Sequence, residues 1–219
     1  MVPNAWSFVE EYEQLSDNQK QAVELPYDQN QLITGVSGSG KTVVAGHRAI
    51  RIKENLNVQI LVFNKLLHES LQQSLGDKLD ETEITTLVTW FKEWFKKEYE
   101  QEPPKDDDSV WPNWHKCKEI HSRHRLLHDQ IETAGTHFII DEAQNLTAHE
   151  VKTILTRVGE NTKIVLTGDI EQIDNIYTNE TSNGLTYAVE KFKHHDISGH
   201  ITFLKGERSR LATISSKIL

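Results

Sequence analysis

One glycine-rich segment constrains this chain more than any other stretch of its sequence. Residues 35–42 read Gly-Val-Ser-Gly-Ser-Gly-Lys-Thr. They fit the pattern G-x-x-x-x-G-K-[ST], in which backbone N–H groups converge on a phosphate chain. The flanks agree with the motif, since residues 31–34 predict a short buried strand and residues 42–53 a helix whose N-terminal dipole favours anions. The sequence therefore predicts a phosphate-binding loop between a strand and a helix.

The residues of this loop have separate expected roles. The glycines allow a tight wrap around the phosphates. Lys41 is expected to reach the β- and γ-phosphates, and the Thr42 hydroxyl to bind Mg²⁺. The predicted ligands are a nucleoside triphosphate and Mg²⁺, and the predicted phosphate-binding residues are Gly35, Gly38, Ser39, Gly40, Lys41 and Thr42.

Composition narrows the class of protein. The chain has 219 residues, 37% of them hydrophobic and 26% charged, as in a soluble globular protein. No apolar run approaches the ~20 residues that span a bilayer, no signal peptide is visible, and Cys117 is the one cysteine. We therefore expect a cytoplasmic protein without a membrane partner. The net charge of −9 argues against a protein that coats polyanions, although a local basic groove is compatible with it.

Short apolar runs alternate with amphipathic helical patterns along the chain. This alternation predicts an α/β fold with a parallel sheet covered by helices on both faces. After the loop, the predicted strands are residues 58–63, 84–88, 138–140, 164–166 and 201–204. We expect a single domain over residues 1–219, with a loop and helical insertion at about 100–135 and a last helix at 210–219.

Two carboxylates follow one of the predicted strands directly. Asp141 and Glu142 come after the apolar run 138–140, which places them at the sheet edge beside the phosphate loop. An Asp there holds Mg²⁺ opposite Thr42, and a neighbouring Glu orients and deprotonates the attacking water. The alternative is an acidic pair that opens a surface loop.

Three more polar side chains occupy suggestive positions. Gln172, after the strand at 164–166, either contacts the γ-phosphate or belongs to a turn built by Gly168 and Asp169. Arg208, after the last strand, either stabilises charge on the transferred phosphoryl group or pairs with Glu207. Gln19 stands three residues after Ser16, the spacing of a capping box.

Two other nucleotide-binding classes can be set aside. Residues 64–67 begin like the guanine-reading N-K-x-D, but Leu67 replaces the required aspartate. The H-R-D and D-F-G motifs of protein kinases are missing from the sequence.

In this order the motifs resemble those of the first RecA-like domain of a superfamily 1 helicase of the UvrD/Rep kind. The resemblance implies a RecA-like sheet, ATP hydrolysis, an adenine contact from Gln19 and single-stranded nucleic acid as a partner. The matching segments are 15–23 (Q motif), 35–42 (motif I), 62–65 (motif Ia), 85–91 (the next nucleic-acid segment), 141–144 (motif II), 168–172 (motif III) and 207–209 (motif IV).

The last third of the chain, residues 137–219, resembles the PhoH-like ATPases more closely still. The matching runs are 138–145, 167–174, 182–187 and 205–209. Glu207 stands where superfamily 1 helicases usually carry a tyrosine that stacks on adenine, which leaves the choice of base open. No segment after Arg208 matches motifs V and VI, so we expect a fragment, an assembling ATPase, or a protein that does not unwind.

Two stretches are candidates for a nucleic-acid surface. Aromatic residues at helical spacing between Trp90 and Tyr99 alternate with lysines, but the same spacing suits a core-facing helix, and we expect at most one exposed ring. A basic stretch contains Lys116, Lys118, Arg123 and Arg125, and is either a nucleic-acid contact or a solvated helix. Cys117 with His115 and His121 lacks the paired spacing of a zinc site, so no zinc is expected.

The sequence thus favours a nucleic-acid-stimulated, helicase-type ATPase with Lys41, Glu142, Gln172 and Arg208 as catalytic residues. Its missing second lobe would come from a homo-oligomer or from a second RecA-like domain. The alternative is an ATP-dependent regulatory switch, or an assembling PhoH-like ATPase, that does not unwind strands.

Overall fold

The computed structural model describes residues 11–80, 83–106, 112–113, 116–117, 119–120, 135–156 and 158–206. Within these residues the strands are β1 (Asn30–Gly35), β2 (Asn57–Val62), β3 (Ile84–Thr86), β4 (Thr136–Ile140), β5 (Lys163–Gly168) and β6 (Ser198–Phe203). The α-helices are α1 (Asp17–Glu24), α2 (Lys41–Lys53), α3 (Lys65–Leu75), α4 (Leu87–Tyr99), α5 (Ala148–Leu155) and α6 (Gly184–Phe192). Short 3₁₀ turns occupy Tyr12–Gln14 and Ala143–Asn145.

The strands form one sheet in the order β3-β2-β4-β5-β1-β6. Every neighbouring pair in it is parallel, which confirms the predicted fold class. Leu32 of β1 pairs with Leu166 of β5, and Leu61 of β2 pairs with Ile140 of β4. Because parallel strands all end at the same edge, the segments that follow them are gathered there.

The two faces of the sheet bury alternate side chains of the same strands. In β4, Ile139 packs in the cluster with α1, α2 and α3, whereas Phe138 and Ile140 pack in the cluster with α5 and α6. Alternation with a period of two is what a strand buried on both faces requires. The short, continuous apolar runs in the sequence therefore mark central strands.

The predicted end of the third strand was wrong. That strand was expected to run to Val88, but β3 ends at Thr86 and α4 begins at Leu87. The Thr86 hydroxyl accepts a hydrogen bond from the Thr89 backbone N–H and caps the helix. Apolar β-branched residues suit either element, and this cap decided between them.

Most of the predicted insertion and the whole predicted last helix lie outside the described residues. Within the insertion, Lys116, Cys117, Glu119 and Ile120 are helical. Cys117 is buried against Phe91, Phe95 and Tyr99 of α4, and its burial raises the pKa of the thiol to about 11. None of the helices that the structure describes combines the length and the apolar character needed to cross a membrane.

A buried arginine joins α1 to α2. Arg48 of α2 is 1% exposed, and its Nη1 donates to the carbonyls of Ala22, Val23 and Leu25 at the C-terminal end of α1. Its guanidinium lies 5.2 Å from the centre of the Tyr27 ring. Burial lowers the pKa of Arg48 to about 10. The charge is held by carbonyl dipoles and a ring face, and it satisfies the orphan carbonyls of a helix end.

We expect Arg48→Met to lower the free energy of unfolding by about 2–3 kcal/mol, because buried carbonyls of α1 lose their charged donor. Urea unfolding of the two proteins measures the change. Arg51→Met is the matched control on the same helix, since Arg51 makes only an exposed ion pair with Glu24 at 3.7 Å. Its effect should stay within about 0.5 kcal/mol. Equal losses in the two variants would contradict the role given to Arg48.

Candidate active site

The phosphate loop lies where β1 ends and α2 begins. Gly38 and Gly40 have φ values of 72° and 81°, in the left-handed region that favours glycine. At Gly35 a Cβ would lie 2.7 Å from Cβ of Phe203 in β6, so the loop and its neighbouring strand approach too closely for a side chain. The backbone therefore takes the tight conformation that the sequence motif predicts.

Lys41, the first residue of α2, turns its side chain back over the loop. Its Nζ donates to the carbonyls of Gly35 at 2.8 Å and Val36 at 3.0 Å. Ser39, a predicted phosphate ligand, has its Oγ 3.5 Å from the same Nζ. Thr42, the predicted Mg²⁺ ligand, follows in the first turn of α2. The ammonium group is thus held at the loop by carbonyl oxygens.

The side chain of Gln19 contacts both the start of α1 and the phosphate loop. With Ser16 it forms the predicted capping box of α1, and its Oε1 accepts from the Ser16 backbone N–H at 2.8 Å. Its Nε2 donates to the Ser39 carbonyl at 3.1 Å. A Cβ on Gly40 would lie only 2.1 Å from that Nε2. The capping box is confirmed, and the same amide also joins α1 to the phosphate loop.

Asp141 is a buried carboxylate at the end of β4. Its Oδ1 accepts hydrogen bonds from the Thr167 hydroxyl and from the Glu142 backbone N–H. Its Oδ2 is buried and has no hydrogen-bond partner among the described residues. A buried carboxylate oxygen without a donor is unfavourable unless a cation or water satisfies it.

The position of this carboxylate refines one expectation. Asp141 was expected beside the phosphate loop, but β5 lies between β4 and β1 in the sheet. Thr167 of β5 spans the gap, since it pairs with Ile33 of β1 and donates to Asp141. The strand of Thr167 therefore links the loop to the acid pair.

Glu142 is held in an unusual backbone conformation. Its φ of 58° places it in the left-handed region, where non-glycine residues are uncommon. Its Oε2 accepts a hydrogen bond from Nδ2 of Asn64 at 2.8 Å. Burial, followed by the charges of Asp141 and Asp174, raises the pKa of Glu142 to about 7, and hydrogen bonds from Asn64 act in the opposite direction. A carboxyl group tuned in this way is typical of a general base.

A buried glutamine joins the segments that follow β4 and β5. Oε1 of Gln144 accepts from the Asp169 backbone N–H at 3.1 Å, and its Nε2 donates to the Gln172 carbonyl at 2.9 Å. A Cβ on Gly168 would lie 2.1 Å from that Oε1, so glycine is required there. These hydrogen bonds hold the motif II segment and the motif III segment in a fixed position relative to each other.

The remaining predicted catalytic residues are less closely tied to this centre. The Gln172 side chain is exposed, and only its backbone is held, by Asp169 and Gln144. Arg208 lies outside the described residues. The last described residue of that segment, Gly206, lies against the phosphate loop, since a Cβ there would be 2.3 Å from the Ser37 carbonyl oxygen.

Sequence reasoning missed three residues of this site, namely Asn64, Thr167 and Gln144. Asn64 was considered only as the start of a failed guanine motif and as part of the motif Ia segment. Thr167 and Gln144 were noted only as letters within longer runs. The available signal was their position at or shortly after the ends of apolar strands, because polar side chains there lie at the ligand edge of a parallel sheet.

The aromatic residues of α4 pack inward. Phe91, Phe95 and Tyr99 are buried, whereas Trp90 and Trp94 are half-buried and stack on each other with centroids 6.3 Å apart. None of these rings is exposed, in line with the expectation of at most one. This helix therefore offers no platform of exposed rings for stacking bases.

Comparison with known proteins places this arrangement in a family. A model described as type III restriction enzyme, res subunit, matches residues 8–172, well over half of the chain. The chain belongs to this family. A second model, described as PhoH-like protein, matches residues 132–218, which confirms the resemblance of the last third.

Relatives with curated descriptions match the chain over less than half of its length. The chain is 63% identical to protein PhoH2 of Bacillus subtilis over 97 residues, which is 44% of the chain and 21% of that protein. It is 38% identical to protein PhoH2 of Thermobispora bispora over 99 residues, which is 45% of the chain and 21% of that protein. The matched part thus spans about a fifth of each relative's length.

A solved structure confirms the fold. The Pif1 helicase from Candida albicans superposes with a TM-score of 0.55 at 16% identity, covering 88% of this chain and 40% of that protein. At this identity the likeness concerns the fold alone. Together with the phosphate loop and the family match, it makes this res-subunit family member a helicase-like P-loop ATPase domain of RecA-like fold.

Proposed function

We propose that this chain hydrolyses ATP at the edge formed by the phosphate loop and the Asp141–Glu142 pair, and that single-stranded nucleic acid stimulates the reaction. The proposal of ATP hydrolysis rests on how the side chains of Asp141 and Glu142 are hydrogen-bonded. Glu142 is held by Asn64, and beside it one buried oxygen of Asp141 has no donor in the part of the chain that the structure describes.

In this proposal Lys41 and the backbone N–H groups of residues 35–42 bind the phosphates. Mg²⁺ would be held by Thr42 and by the unpaired Oδ2 of Asp141, and would neutralise charge on the β- and γ-phosphates. The donor set fits the ion, because Mg²⁺ prefers carboxylate and hydroxyl oxygens.

Glu142 is the proposed base. Its carboxylate takes a proton from a water molecule whose oxygen forms a bond to the γ-phosphorus, while the bond to the β–γ bridging oxygen breaks. Gln172 is proposed to sense the γ-phosphate and Arg208 to stabilise the charge on the phosphoryl group. Gln19 is proposed to contact the adenine edge from its position against the phosphate loop.

Support for a nucleic-acid partner comes from the order of the motifs along a RecA-like sheet and from the family match. The rings of α4 do not add to it, because they pack inward. The basic stretch at residues 116–125 remains the proposed contact. In the described part of this stretch, Lys116 is exposed and makes an exposed ion pair with Asp106 at 3.5 Å.

We expect single strands to raise the ATPase rate and to bind less tightly as salt rises. Neutralising Lys116, Lys118, Arg123 and Arg125 together should lower the steepness of log affinity against log salt by up to about 3. The reason is that fewer counterions are released on binding when fewer phosphates are contacted. Fluorescence anisotropy with labelled RNA and DNA over a salt series measures this slope.

The matched control neutralises four lysines elsewhere in the chain, namely the exposed Lys78, Lys152 and Lys191 and the half-buried Lys163. It should leave the slope unchanged. Failure of the unaltered chain to bind any single strand at low salt would favour the regulatory switch, in which ATP changes partners without work on strands.

A further inference from the structure

The side chain of Asn64 makes two hydrogen bonds that lead to different parts of the molecule. Its Oδ1 accepts from the Leu67 backbone N–H at 2.8 Å and caps α3. Its Nδ2 donates to Oε2 of Glu142 at 2.8 Å. One amide group therefore joins the first turn of α3 to the proposed base.

The cap fixes which end of the amide faces Glu142. An inverted amide would turn its NH₂ group toward the Leu67 N–H and its oxygen toward the carboxylate, so that both contacts would become repulsive. Since a helix N-terminus needs an acceptor at this position, the Nδ2 donor is directed at Glu142 by the local structure of α3.

The sheet brings the two residues together. Leu61 of β2 pairs with Ile140 of β4, and the Asp141 backbone N–H donates to the Leu61 carbonyl at 2.9 Å. Asn64 and Glu142 follow these paired positions at the same edge. Their contact therefore depends on strand register, which loop motion alone does not change.

The contact with Asn64 matters because negative charges surround the Glu142 carboxylate. The charged groups that act on the carboxylate among the described residues are Asp141 and Asp174, and both repel it. Asn64 supplies the described side-chain donor that opposes them. The Asn64 backbone also hydrogen-bonds Glu142, and the side-chain donor is a second contact that fixes how the carboxylate is turned.

We propose that Asn64 is a positioning residue for ATP hydrolysis. It holds the carboxylate of Glu142 in the orientation that accepts the proton of the attacking water, and ties that orientation to the first turn of α3. This inference rests on the proposed role of Glu142 as the base.

Three substitutions separate the cap from the contact with Glu142. Asn64→Ser keeps an N-cap acceptor but is too short to reach Glu142, and Asn64→Asp keeps the cap and turns an oxygen toward the carboxylate. Asn64→Ala loses the cap and the side-chain contact. The backbone hydrogen bond from residue 64 to Glu142 is common to all three variants. Thr147→Ala is the matched control, because it removes the cap that the Thr147 hydroxyl provides to the Glu150 backbone N–H in the first turn of α5. Single-turnover ATP hydrolysis by the full chain, with a KM series and thermal unfolding, is measured for each.

For Asn64→Ser and Asn64→Asp we expect the rate at saturating ATP to fall by roughly 10- to 100-fold with KM changed less than about twofold, because a misplaced catalytic group costs rate rather than binding. Their melting temperatures should stay near that of the unaltered chain. Asn64→Ala should lose both rate and melting temperature, whereas Thr147→Ala should lose melting temperature alone. In a Glu142→Gln background, Asn64→Ser should slow the reaction no further, since both changes act through one carboxylate.

Two results would overturn the inference in different ways. If Glu142→Gln abolishes turnover while Asn64→Ser and Asn64→Asp react at the original rate, Asn64 is only a helix cap and the proposed function stands. If Glu142→Gln itself reacts at the original rate, Glu142 is not the base. The proposed role of Asn64 is then wrong as well, because it acts through Glu142.

Discussion

Glu142→Gln is expected to bind ATP with unchanged affinity and to hydrolyse it at least about 10²-fold more slowly, because the amide keeps the shape of the side chain but cannot accept a proton. The Asn64 contact can persist in this variant, since the glutamine carbonyl still accepts a hydrogen bond. The loss should therefore appear in kcat, with little change in KM.

Lys41→Ala tests phosphate binding in the same assays. Removal of the ammonium group that now lies over the Gly35 and Val36 carbonyls should weaken both ATP affinity and turnover. Glu180→Gln is the matched control for Glu142→Gln, because Glu180 is an exposed acid outside the acid pair. Binding is followed with a fluorescent ATP analogue and turnover by phosphate release. A Glu142→Gln protein with normal turnover would show that the base lies elsewhere.

The isolated monomer is expected to bind ATP but to hydrolyse it slowly, with turnover per subunit rising steeply as the protein concentration increases. In two-lobe helicases the nucleotide lies in a cleft whose second side comes from another lobe, and an arginine supplied across such an interface contributes about 10³- to 10⁵-fold in rate in related phosphoryl-transfer enzymes. We expect a second copy of the chain, or a second RecA-like domain, to complete the site.

The surface at the nucleotide edge supports this expectation. Ile176 and Tyr177 follow β5 and are 87% and 82% exposed, and Leu204 at the end of β6 is 82% exposed. Both segments follow strands at the same edge of the sheet, and we propose their exposed apolar side chains as the contact surface for the second copy. Replacing Ile176, Tyr177 and Leu204 with serine should remove the dependence on concentration.

Light scattering beside a concentration series of ATPase rates measures both parts of this prediction. Ile197→Ser is the matched control, because Ile197 is an exposed apolar residue that precedes β6, at the opposite edge of the sheet. A strictly monomeric protein with fast turnover at every concentration would mean that Arg208 completes the site within one chain.

The order of elements and the identity of the acid pair could be predicted from the sequence because each depends on local chemistry. The phosphate loop needs glycines at positive φ, and Gly38 and Gly40 adopt such values. Apolar runs of three to six residues flanked by polar turns predict strands, and the sheet confirms them. The capping box at Ser16 was likewise visible as a spacing and is present.

Contacts between segments distant in the chain were decided by the tertiary structure. Nothing in residues 62–65 alone indicates that Asn64 reaches Glu142, because that contact depends on β2 pairing with β4 in one register. The same holds for Thr167, which spans from β5 to Asp141, and for Arg48, which caps a helix from a neighbouring one.

The sequence by itself determined that this chain forms a parallel sheet with a phosphate loop and an acid pair at one edge, because those features follow from spacing, periodicity and glycine. Only the tertiary structure decided that Asn64 faces Glu142 and that the rings of α4 point inward. The physical reason is that a side chain's partners across strands depend on strand order and register, which arise when the whole core packs.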